Sequence, residues 1–329
     1  MKYYFKKYKI LILIVIILYL PLLFCLLYPT KYSVTAPGEL RSTAKVYQSD
    51  EFTINDQFYT IYVLGYYPLT PFQSFLAKRN HEMEVGIHHA EYRDTTKLNE
   101  FKKGQLSKEA SLIESAIAAY EEAGKIDTSI QIEYEFRGLK IYHAPSRLKD
   151  LEVGSEIIGV NGNSYLDYLN NPSGFLDLVK LDDNNSIELT LKNGKKFTYV
   201  KQGSEYLAFV YHFKIIYSSP KLVLSGLNDL VGGPSGGLIQ GLSLYASLLK
   251  INTEKIKIAG TGTLSYAGFV GEIGGLRQKI YTANRSDIDY FFVPKSQYNL
   301  ISDISTNYLV FQVECFSEAV DKLYEALKE

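Results

Sequence analysis

Cysteine is scarce in this chain: Cys25 and Cys315 are the two among 329 residues. Without a Cys-x-x-Cys pair or a Cys/His cluster, the sequence indicates neither a disulfide framework nor a zinc site. The net charge is also small, −1 at pH 7. Binding to nucleic acid depends on clustered Lys and Arg that displace counterions, so this balance argues against a nucleic-acid partner.

Histidine is in short supply as well, with five in the chain. The densest group is His88, His89 and Glu91, and adjacent histidines on a loop are usually solvated, so we predict no metal and no cofactor. The composition has 46% hydrophobic and 22% charged residues, enough for one large domain or two ordinary ones. Disordered and fibrous classes are thereby excluded.

Charged residues are missing from residues 10–28, and a run of this length crosses a bilayer as one helix. Four lysines precede the run and only Lys31 follows closely, so the positive-inside rule places the N-terminus in the cytoplasm and the body outside the cell. A cleaved signal peptide is the alternative, but residues 26–29 are too bulky for a cleavage site. We predict a cytoplasmic tip and an uncleaved single-pass anchor in the cell membrane over residues 1–31.

Cys25 lies within this apolar run. A lipoprotein would need a small residue where Phe24 stands, so we interpret Cys25 as an apolar residue of the membrane helix. The outward body then contains Cys315 alone and cannot form an internal disulfide. Its stability must come from packing.

After the anchor, residues 32–67 are typical of β structure, with a strand at 58–64. Apolar residues at a 3.6-residue period predict a helix over 109–123, with Ser107 as its N-cap and Gly124 ending it in a left-handed conformation. The next region forms a β-rich module in which turn clusters separate short strands at 130–136, 139–143, 156–160, 187–191 and 196–200.

The C-terminal part alternates helices with strands, which indicates an α/β layer structure. The predicted helices cover 238–249, begin at 276, and close the chain after a cap at Ser317. The predicted strands cover 256–259, 290–293 and 309–313.

The most informative stretch is Gly-Gly-Pro-Ser-Gly-Gly at residues 232–237, directly before a buried helix. Glycines beside Ser235 let a substrate backbone come close, and a serine at a helix N-terminus lies where free N–H groups stabilise developing negative charge. This position suits a nucleophile. An ordinary turn has the same composition, so this motif alone does not distinguish a nucleophile from a turn.

A lysine on an apolar helix face is the second chemical signal. The helix predicted from Leu276 places Lys279 on one face with Leu276, Ile280 and Ala283. Burying an ammonium is costly unless its pKa falls and it becomes neutral, and a neutral lysine is the base that a serine needs when no histidine is available. The alternative is that the Lys279 stem extends to the helix edge and stays charged.

Together these motifs resemble those of the Lon protease family. Gly-Pro-Ser-Gly-Gly at 233–237 is similar to its Gly-Pro-Ser-Ala-Gly nucleophile motif, and Gly-Gly-Leu-Arg-Gln-Lys at 274–279 is similar to its Gly-Gly-Leu-Lys-Glu-Lys lysine motif. The serine and the lysine are 44 residues apart, close to the family spacing. Thr261 falls where the family places a threonine beside the lysine.

The resemblance implies a Ser-Lys serine endopeptidase. Ser235 is then the nucleophile, Lys279 the general base and Thr261 a hydroxyl that orients Lys279. The oxyanion is expected at backbone groups around Gly233, Pro234 and Gly236. Because the base must be unprotonated, activity is expected to rise with pH.

The β-rich module resembles a PDZ domain. Residues 151–162 are similar to the common run Leu-x-x-Gly-Asp-x-Ile-x-x-Val-Asn-Gly, with Ser155 in place of the aspartate. In such domains a loop, expected here at Phe136, Gly138 and Leu139, receives a peptide C-terminus while the peptide adds as a strand. A spacer without any peptide-binding role is the alternative.

An anchor, a PDZ module and a Lon-type peptidase in one chain resemble the membrane-anchored PDZ–Lon proteases of Gram-positive bacteria. No Gly-x-x-x-x-Gly-Lys-[Ser/Thr] phosphate loop occurs, so ATP is not an expected partner, and the expected substrates are extracytoplasmic peptides or flexible protein segments. The oligomeric state stays open. The rival hypothesis is a catalytically inactive, membrane-tethered peptide-binding scaffold, whose function Ser235→Ala would leave intact.

The expected fold class is α/β (α+β): a Lon-type proteolytic domain with an inserted PDZ domain and one N-terminal transmembrane helix. We assign residues 32–127 to the N-terminal part of the peptidase region, 128–201 to the PDZ-like domain and 202–329 to the catalytic domain. Two residues depart from the Lon pattern. Gly236 stands where Lon usually has alanine, and Gly232 replaces an acidic residue, with Asp229 nearby.

Overall fold

The computed structural model describes residues 8–87, 97–148, 151–180, 186–225 and 233–328. The helices are α1 (Lys9–Leu27), α2 (Pro71–Ala77), α3 (Lys97–Gly124), α4 (Pro172–Asp177), α5 (Gly237–Leu248), α6 (Leu276–Asn284) and α7 (Phe316–Ala326). The strands are β1 (Tyr32–Ser42), β2 (Tyr47–Gln48), β3 (Phe58–Tyr66), β4 (Glu84–Ile87), β5 (Gln131–His143), β6 (Glu156–Val160), β7 (Asn163–Ser164), β8 (Ser186–Leu191), β9 (Lys196–Val200), β10 (Ala208–Ser219), β11 (Val223–Leu224), β12 (Ile258–Gly260), β13 (Thr263–Leu264), β14 (Val270–Gly271), β15 (Tyr290–Pro294) and β16 (Leu309–Val313).

The first sheet joins the two ends of the chain. Its strand order is β16-β15-β12-β3-β1-β4, with β16, β15, β12 and β3 parallel and the other pairs antiparallel. Ile258 of β12 lies opposite Phe58 of β3. Residues before the β-rich module and residues after it therefore build one mixed sheet.

Helices cover both faces of this sheet, because successive strand residues point to opposite sides. Phe291 packs with α6 in one apolar cluster, together with Leu276 and Ile280. Phe292, the next residue, packs on the other side in the cluster that contains Leu112 of α3 and Leu242 of α5. The α/β layers expected for the C-terminal part are present.

The second sheet has the order β10-β5-β6-β8-β9, and its strands lie between residues 131 and 219. The strands expected at 130–136 and 139–143 are one strand, β5, which continues through a bulge at Gly138. This glycine has φ +94°, and a Cβ there would lie 2.2 Å from the carbonyl oxygen of Ile157. The sheet extends past residue 201, the expected end of the module, because β10 pairs with β5 up to Ser219.

The prediction of a peptide-binding loop at Phe136, Gly138 and Leu139 is therefore wrong, because these residues lie within β5. Phe136 lies opposite Phe213 of β10, and Leu139 lies between Tyr211 of β10 and Ile157 of β6. Phe136 is 3% exposed and Leu139 is fully buried. Leu139 is paired on both sides and Phe136 on one side, so these residues belong to the sheet and not to an open loop.

The long helix α3 contributes to the cores of both sheets. Leu112 and Ala116 pack in the first core, whereas Ile113 and Ile117 pack in the second. The helix begins earlier than the apolar period predicts. The caps predicted at Ser107 and Ser317 are wrong, whereas α3 does end at Gly124 as predicted, although without the predicted left-handed backbone.

Ser107 lies inside α3, where its Oγ donates to the carbonyl of Gly104 at 3.2 Å. Gly124 ends the helix without a left-handed backbone, and a Cβ there would lie 2.9 Å from the carbonyl oxygen of Ile130, so close approach explains the glycine. Ser317 lies in the first turn of α7, whose N-cap is Cys315.

Helix α1 carries 19 residues with a mean hydropathy of 3.3 and none of them buried, and among the described residues it is the helix that could cross a membrane. It coincides closely with the predicted run at 10–28. Length and composition alone fit a membrane span or a signal sequence.

Candidate active site

Ser235 lies in the short loop that leads into α5, and α3 holds this loop in place. The N–H of Gly233 donates to the carbonyl of Gly104 at 3.1 Å, and Ser111 Oγ donates to the carbonyl of Pro234 at 3.2 Å. Gly233 has φ +107°, which glycine adopts without the strain a side chain would add. The loop is thus fixed from both sides of its proline.

Lys279 reaches Ser235 from α6. Its side chain is 2% exposed, and its Nζ lies 2.8 Å from Ser235 Oγ. The helix starts after Gly275, which has φ +67° and accepts the N–H of Lys279 through its carbonyl. Leu276 and Ile280 are buried on either side of the lysine, on the face that the helical period predicts.

Thr261 is the third side chain at this point and lies just beyond the carboxyl end of β12. It is fully buried. Its Oγ1 accepts a hydrogen bond from Lys279 Nζ at 2.8 Å and donates to the carbonyl oxygen of Ser235 at 3.0 Å. The N–H of Gly262 donates to the same carbonyl at 2.9 Å. Thr261 therefore links the amine of Lys279 to the backbone of Ser235.

The protonation of Lys279 follows from its burial. Loss of hydration disfavours the ammonium and lowers the pKa of Lys279 to about 7. A large fraction of the side chain is therefore the neutral amine near pH 7. A neutral amine at hydrogen-bond distance from the Ser235 hydroxyl can accept its proton.

Backbone donors near the serine are few. The N–H of Gly233 is engaged by Gly104, and Pro234 has no N–H. In the described part of this loop, the N–H groups of Ser235 and Gly236 remain for an oxyanion. Both residues line a small cavity of about 60 Å³ beside Thr60.

Gly236 is the N-cap residue of α5 rather than part of its first turn. A Cβ at this position would lie 2.9 Å from Thr60 Cγ2 and 3.0 Å from Gln240 Nε2. Contact with the neighbouring strand β3 accounts for glycine where Lon usually has alanine. The helix itself begins at the following residue, Gly237.

Two supporting residues were missed from the sequence, Ser111 and Ser115 of α3. Ser111 holds the Pro234 carbonyl, and Ser115 Oγ donates to the carbonyl of Gly237 at 2.9 Å. Both serines are almost fully buried. The sequence signal that could have found them is a pair of serines four residues apart on an apolar helix face, because buried hydroxyls need hydrogen-bond partners.

The other predicted residues lie elsewhere. Phe136, Gly138 and Leu139 belong to the second sheet and do not join Ser235. Several residues lie outside the described residues: His88, His89 and Glu91 of the dismissed metal group, and Gly232 and Asp229 near the serine.

A buried amine with a pKa near 7 beside the hydroxyl of a serine at a helix start is the arrangement that a serine hydrolase with a lysine base requires. The comparisons with known proteins agree. Residues 231–328 match the Lon protease (S16) C-terminal proteolytic domain. This similarity of the C-terminal part of the chain supports the activity of a serine protease.

Lon proteases from several bacteria are similar to the same part of the chain. Lon protease 1 of Borreliella burgdorferi is 39% identical over 75 residues, which are 23% of this chain and 9% of that protein. Lon protease of Mycoplasmopsis agalactiae is 38% identical over 72 residues, 22% of this chain and 7% of that protein. Lon protease 1 of Syntrophobacter fumaroxidans is 32% identical over 96 residues, 29% of this chain and 12% of that protein. The match thus spans only 7 to 12% of the length of these relatives.

Proposed function

We propose that this chain is a membrane-anchored serine endopeptidase that cleaves extracytoplasmic peptides or flexible protein segments without ATP. The observation that carries the proposal is the 2.8 Å contact between Ser235 Oγ and the buried Nζ of Lys279. The match of residues 231–328 to the Lon proteolytic domain supports the reaction type.

In the proposed reaction, neutral Lys279 accepts the proton of Ser235 while Oγ attacks the peptide carbonyl carbon. The N–H groups of Ser235 and Gly236 hold the oxyanion of the tetrahedral intermediate. Its collapse breaks the C–N bond, and protonated Lys279 gives its proton to the leaving amine. Lys279 then deprotonates a water molecule that attacks the acyl-enzyme, which releases the new carboxylic acid and restores Ser235. Thr261 keeps the amine of Lys279 directed at the hydroxyl.

Membrane attachment and independence from ATP rest on the sequence and on α1. The helix has the length and hydropathy of a membrane span, and lysines concentrate before it, a distribution that favours a body on the outer side under the positive-inside rule. The 329 residues contain no phosphate-loop motif. Without an unfolding motor, a peptidase reaches only peptides, exposed loops and flexible tails.

We propose that the second sheet, a PDZ-like insertion in the peptidase fold, assists substrate recognition along β10. In the described residues β10 is an edge strand, and a cavity of about 720 Å³ borders it, lined among others by Ile216 and Val223. An extended peptide can add to such an edge through main-chain hydrogen bonds. This edge replaces the Phe136–Leu139 segment as the proposed contact.

The first experiment tests the dyad in the full chain, reconstituted in lipid nanodiscs and incubated without ATP with a mixture of unstructured peptides. Mass spectrometry should detect cleavage by the wild type, while Ser235→Ala and Lys279→Ala lose at least about 10³-fold in rate. Ser302→Ala and Lys255→Ala are matched controls at exposed positions and should retain activity. Cleavage by Ser235→Ala at the wild-type rate, or a requirement for ATP, would overturn the proposal.

A second experiment separates recognition from chemistry. Ile216 is 47% exposed on β10, and Val200 is 48% exposed on β9, the opposite edge of the same sheet. Ile216→Asp should raise KM about tenfold with little change in kcat, because a bound peptide would then have to remove water from the new carboxylate. Val200→Asp should change neither constant. Equal effects of the two substitutions would exclude a specific role for β10.

A further inference from the structure

Exposed apolar side chains gather at the end of the first sheet where α1 joins it. Strand β1 begins shortly after α1, and its first residue, Tyr32, lies opposite Ile87 of β4. Val34 lies opposite Tyr66 of β3. These pairings bring the end of β3 and the end of β4 to the exit point of α1.

We call this surface the membrane-proximal face. Its residues share high exposure in spite of their apolar or aromatic side chains. They are Tyr66 (56% exposed), Tyr67 (37%), Phe72 (45%), Phe75 (51%), Leu76 (51%) and Ile87 (50%).

Helix α2 contributes the centre of the face. Phe72, Phe75 and Leu76 follow the i, i+3, i+4 spacing and lie on one side of the helix. Ser74 and Ala77 are buried on the other side. A helix that lies between a core and water normally turns its apolar side to the core and its polar side to water. Helix α2 instead exposes three large apolar side chains on its outer side.

The start of α2 is tied directly to the end of α1. The N–H of Thr30 donates to the carbonyl of Leu69 at 2.8 Å, and the N–H of Leu69 donates to the carbonyl of Tyr32 at 2.9 Å. Helix α2 also packs against α1. The short segment after the membrane helix therefore fixes α2 beside it.

Two cations flank the aromatic residues. Lys78 Nζ lies 4.7 Å from the centre of the Tyr32 ring, and the Arg79 guanidinium lies 4.2 Å from the centre of the Phe75 ring. Aromatic rings beside basic side chains are typical of the zone where a protein meets lipid headgroups, and cations there are attracted to anionic lipids.

We propose that the membrane-proximal face lies in the headgroup layer of the membrane that α1 crosses. The proposal rests on the proposed membrane anchor and adds a second contact with the same bilayer. A lipid surface is the occupant that continuity with α1 favours, because the face begins where the spanning helix ends. Insertion of Phe72, Phe75 and Leu76 removes apolar area from water and holds the body against the bilayer.

This contact limits which substrate bonds reach the serine. Thr60 of β3 lies next to Gly236 at the candidate active site, and Tyr66 lies on the membrane-proximal face. At roughly 3.3 Å per residue, the strand between them spans about 20 Å. The substrate class that fits is a membrane-tethered chain whose flexible segment can reach at least about 20 Å from the bilayer.

Tryptophan fluorescence tests the contact in the full chain, since the sequence contains no Trp. Each variant is reconstituted in vesicles of phosphatidylcholine and phosphatidylglycerol, with either ordinary or brominated acyl chains as quenchers. Phe75→Trp should lose at least about half of its emission in brominated vesicles. The matched control is Phe269→Trp, which is 69% exposed in the turn between β13 and β14 and should not be quenched.

Tyr19→Trp in α1 separates the two proposals. If Tyr19→Trp is quenched and Phe75→Trp is not, α1 is in the membrane but the membrane-proximal face is not, and the inference is wrong. If neither is quenched, the membrane anchor fails as well. A blue shift at Phe75→Trp without quenching would show that a protein surface or a second copy of the chain covers the face, which also overturns the inference.

Discussion

Thr261 Oγ1 accepts a hydrogen bond from Lys279 Nζ at 2.8 Å and donates one to the carbonyl oxygen of Ser235 at 3.0 Å. One buried hydroxyl therefore fixes the amine and the backbone of the serine relative to each other. A hydroxyl placed in this way orients the reacting groups without itself exchanging a proton with substrate.

Replacing Thr261 with valine keeps the shape of the side chain and removes the hydroxyl. We expect kcat to fall about 10- to 100-fold with little change in KM, because the amine loses its orientation while substrate contacts remain. Thr261→Ser restores the hydroxyl and should recover most of the activity. Steady-state kinetics on peptides measure both constants, and an unchanged kcat for Thr261→Val would remove Thr261 from the mechanism.

The protonation of Lys279 sets the pH dependence. Its pKa is lowered to about 7 by burial, so the fraction of neutral base grows as pH increases through this value. We expect kcat/KM to rise with pH and to level off above about 7. Lys279→Arg should be inactive throughout, since a guanidinium stays charged. A wild-type rate that does not vary between about pH 5 and 9 would contradict a lysine base.

The same buried lysine should cost stability. Between a folded pKa of about 7 and the ordinary value of 10.5, the unfolded chain binds more protons, so the free energy of unfolding decreases as pH falls through this range. Lys279→Met has a similar length and no charge. At pH 6 we expect it to be more stable by about 1 kcal/mol or more.

Thermal unfolding of the two proteins at several pH values measures this difference. The gap between Lys279→Met and wild type should shrink as pH increases above about 7, because the wild-type side chain becomes neutral. Lys255→Met, at an exposed position, is the matched control and should leave stability unchanged. A less stable Lys279→Met at pH 6 would mean that hydrogen bonds to Ser235 and Thr261 outweigh the cost of burying the charge.

The sequence predicts the helix face that carries Lys279, because four buried positions in one short helix follow from the period alone. It does not predict that β5 continues through Gly138. Whether a chain turns at a glycine or bulges and continues depends on β10, a strand far along the chain. The cap at Ser107 failed for a similar reason, since tertiary packing extends the start of α3 beyond its apolar period.

The Ser111 and Ser115 contacts were also beyond local reasoning. Their partners, the carbonyls of Pro234 and Gly237, lie more than a hundred residues away. Two serines on a buried helix face indicate that their hydroxyls form hydrogen bonds, but only the folded chain shows which loop supplies the acceptors.

At Gly236 the structure explains why this chain has glycine where Lon proteases usually have alanine. Alanine would bring a Cβ to 2.9 Å from Thr60 Cγ2. We expect Gly236→Ala to lower the free energy of unfolding by about 1 kcal/mol and to reduce activity, since the neighbouring N–H must move. Thr60→Ser removes Cγ2 and should recover much of both losses in the double variant, with a coupling energy of about 0.5 kcal/mol or more.

Denaturant unfolding of the single and double variants measures this coupling. Gly274→Ala is the control, because a Cβ there meets no atom within 4 Å. It should be close to wild type in stability, which separates a steric effect at Gly236 from the general effect of replacing glycine. If Gly236→Ala is as stable as wild type, or if Thr60→Ser recovers nothing, contact with β3 is not the reason that this chain has glycine beside Ser235.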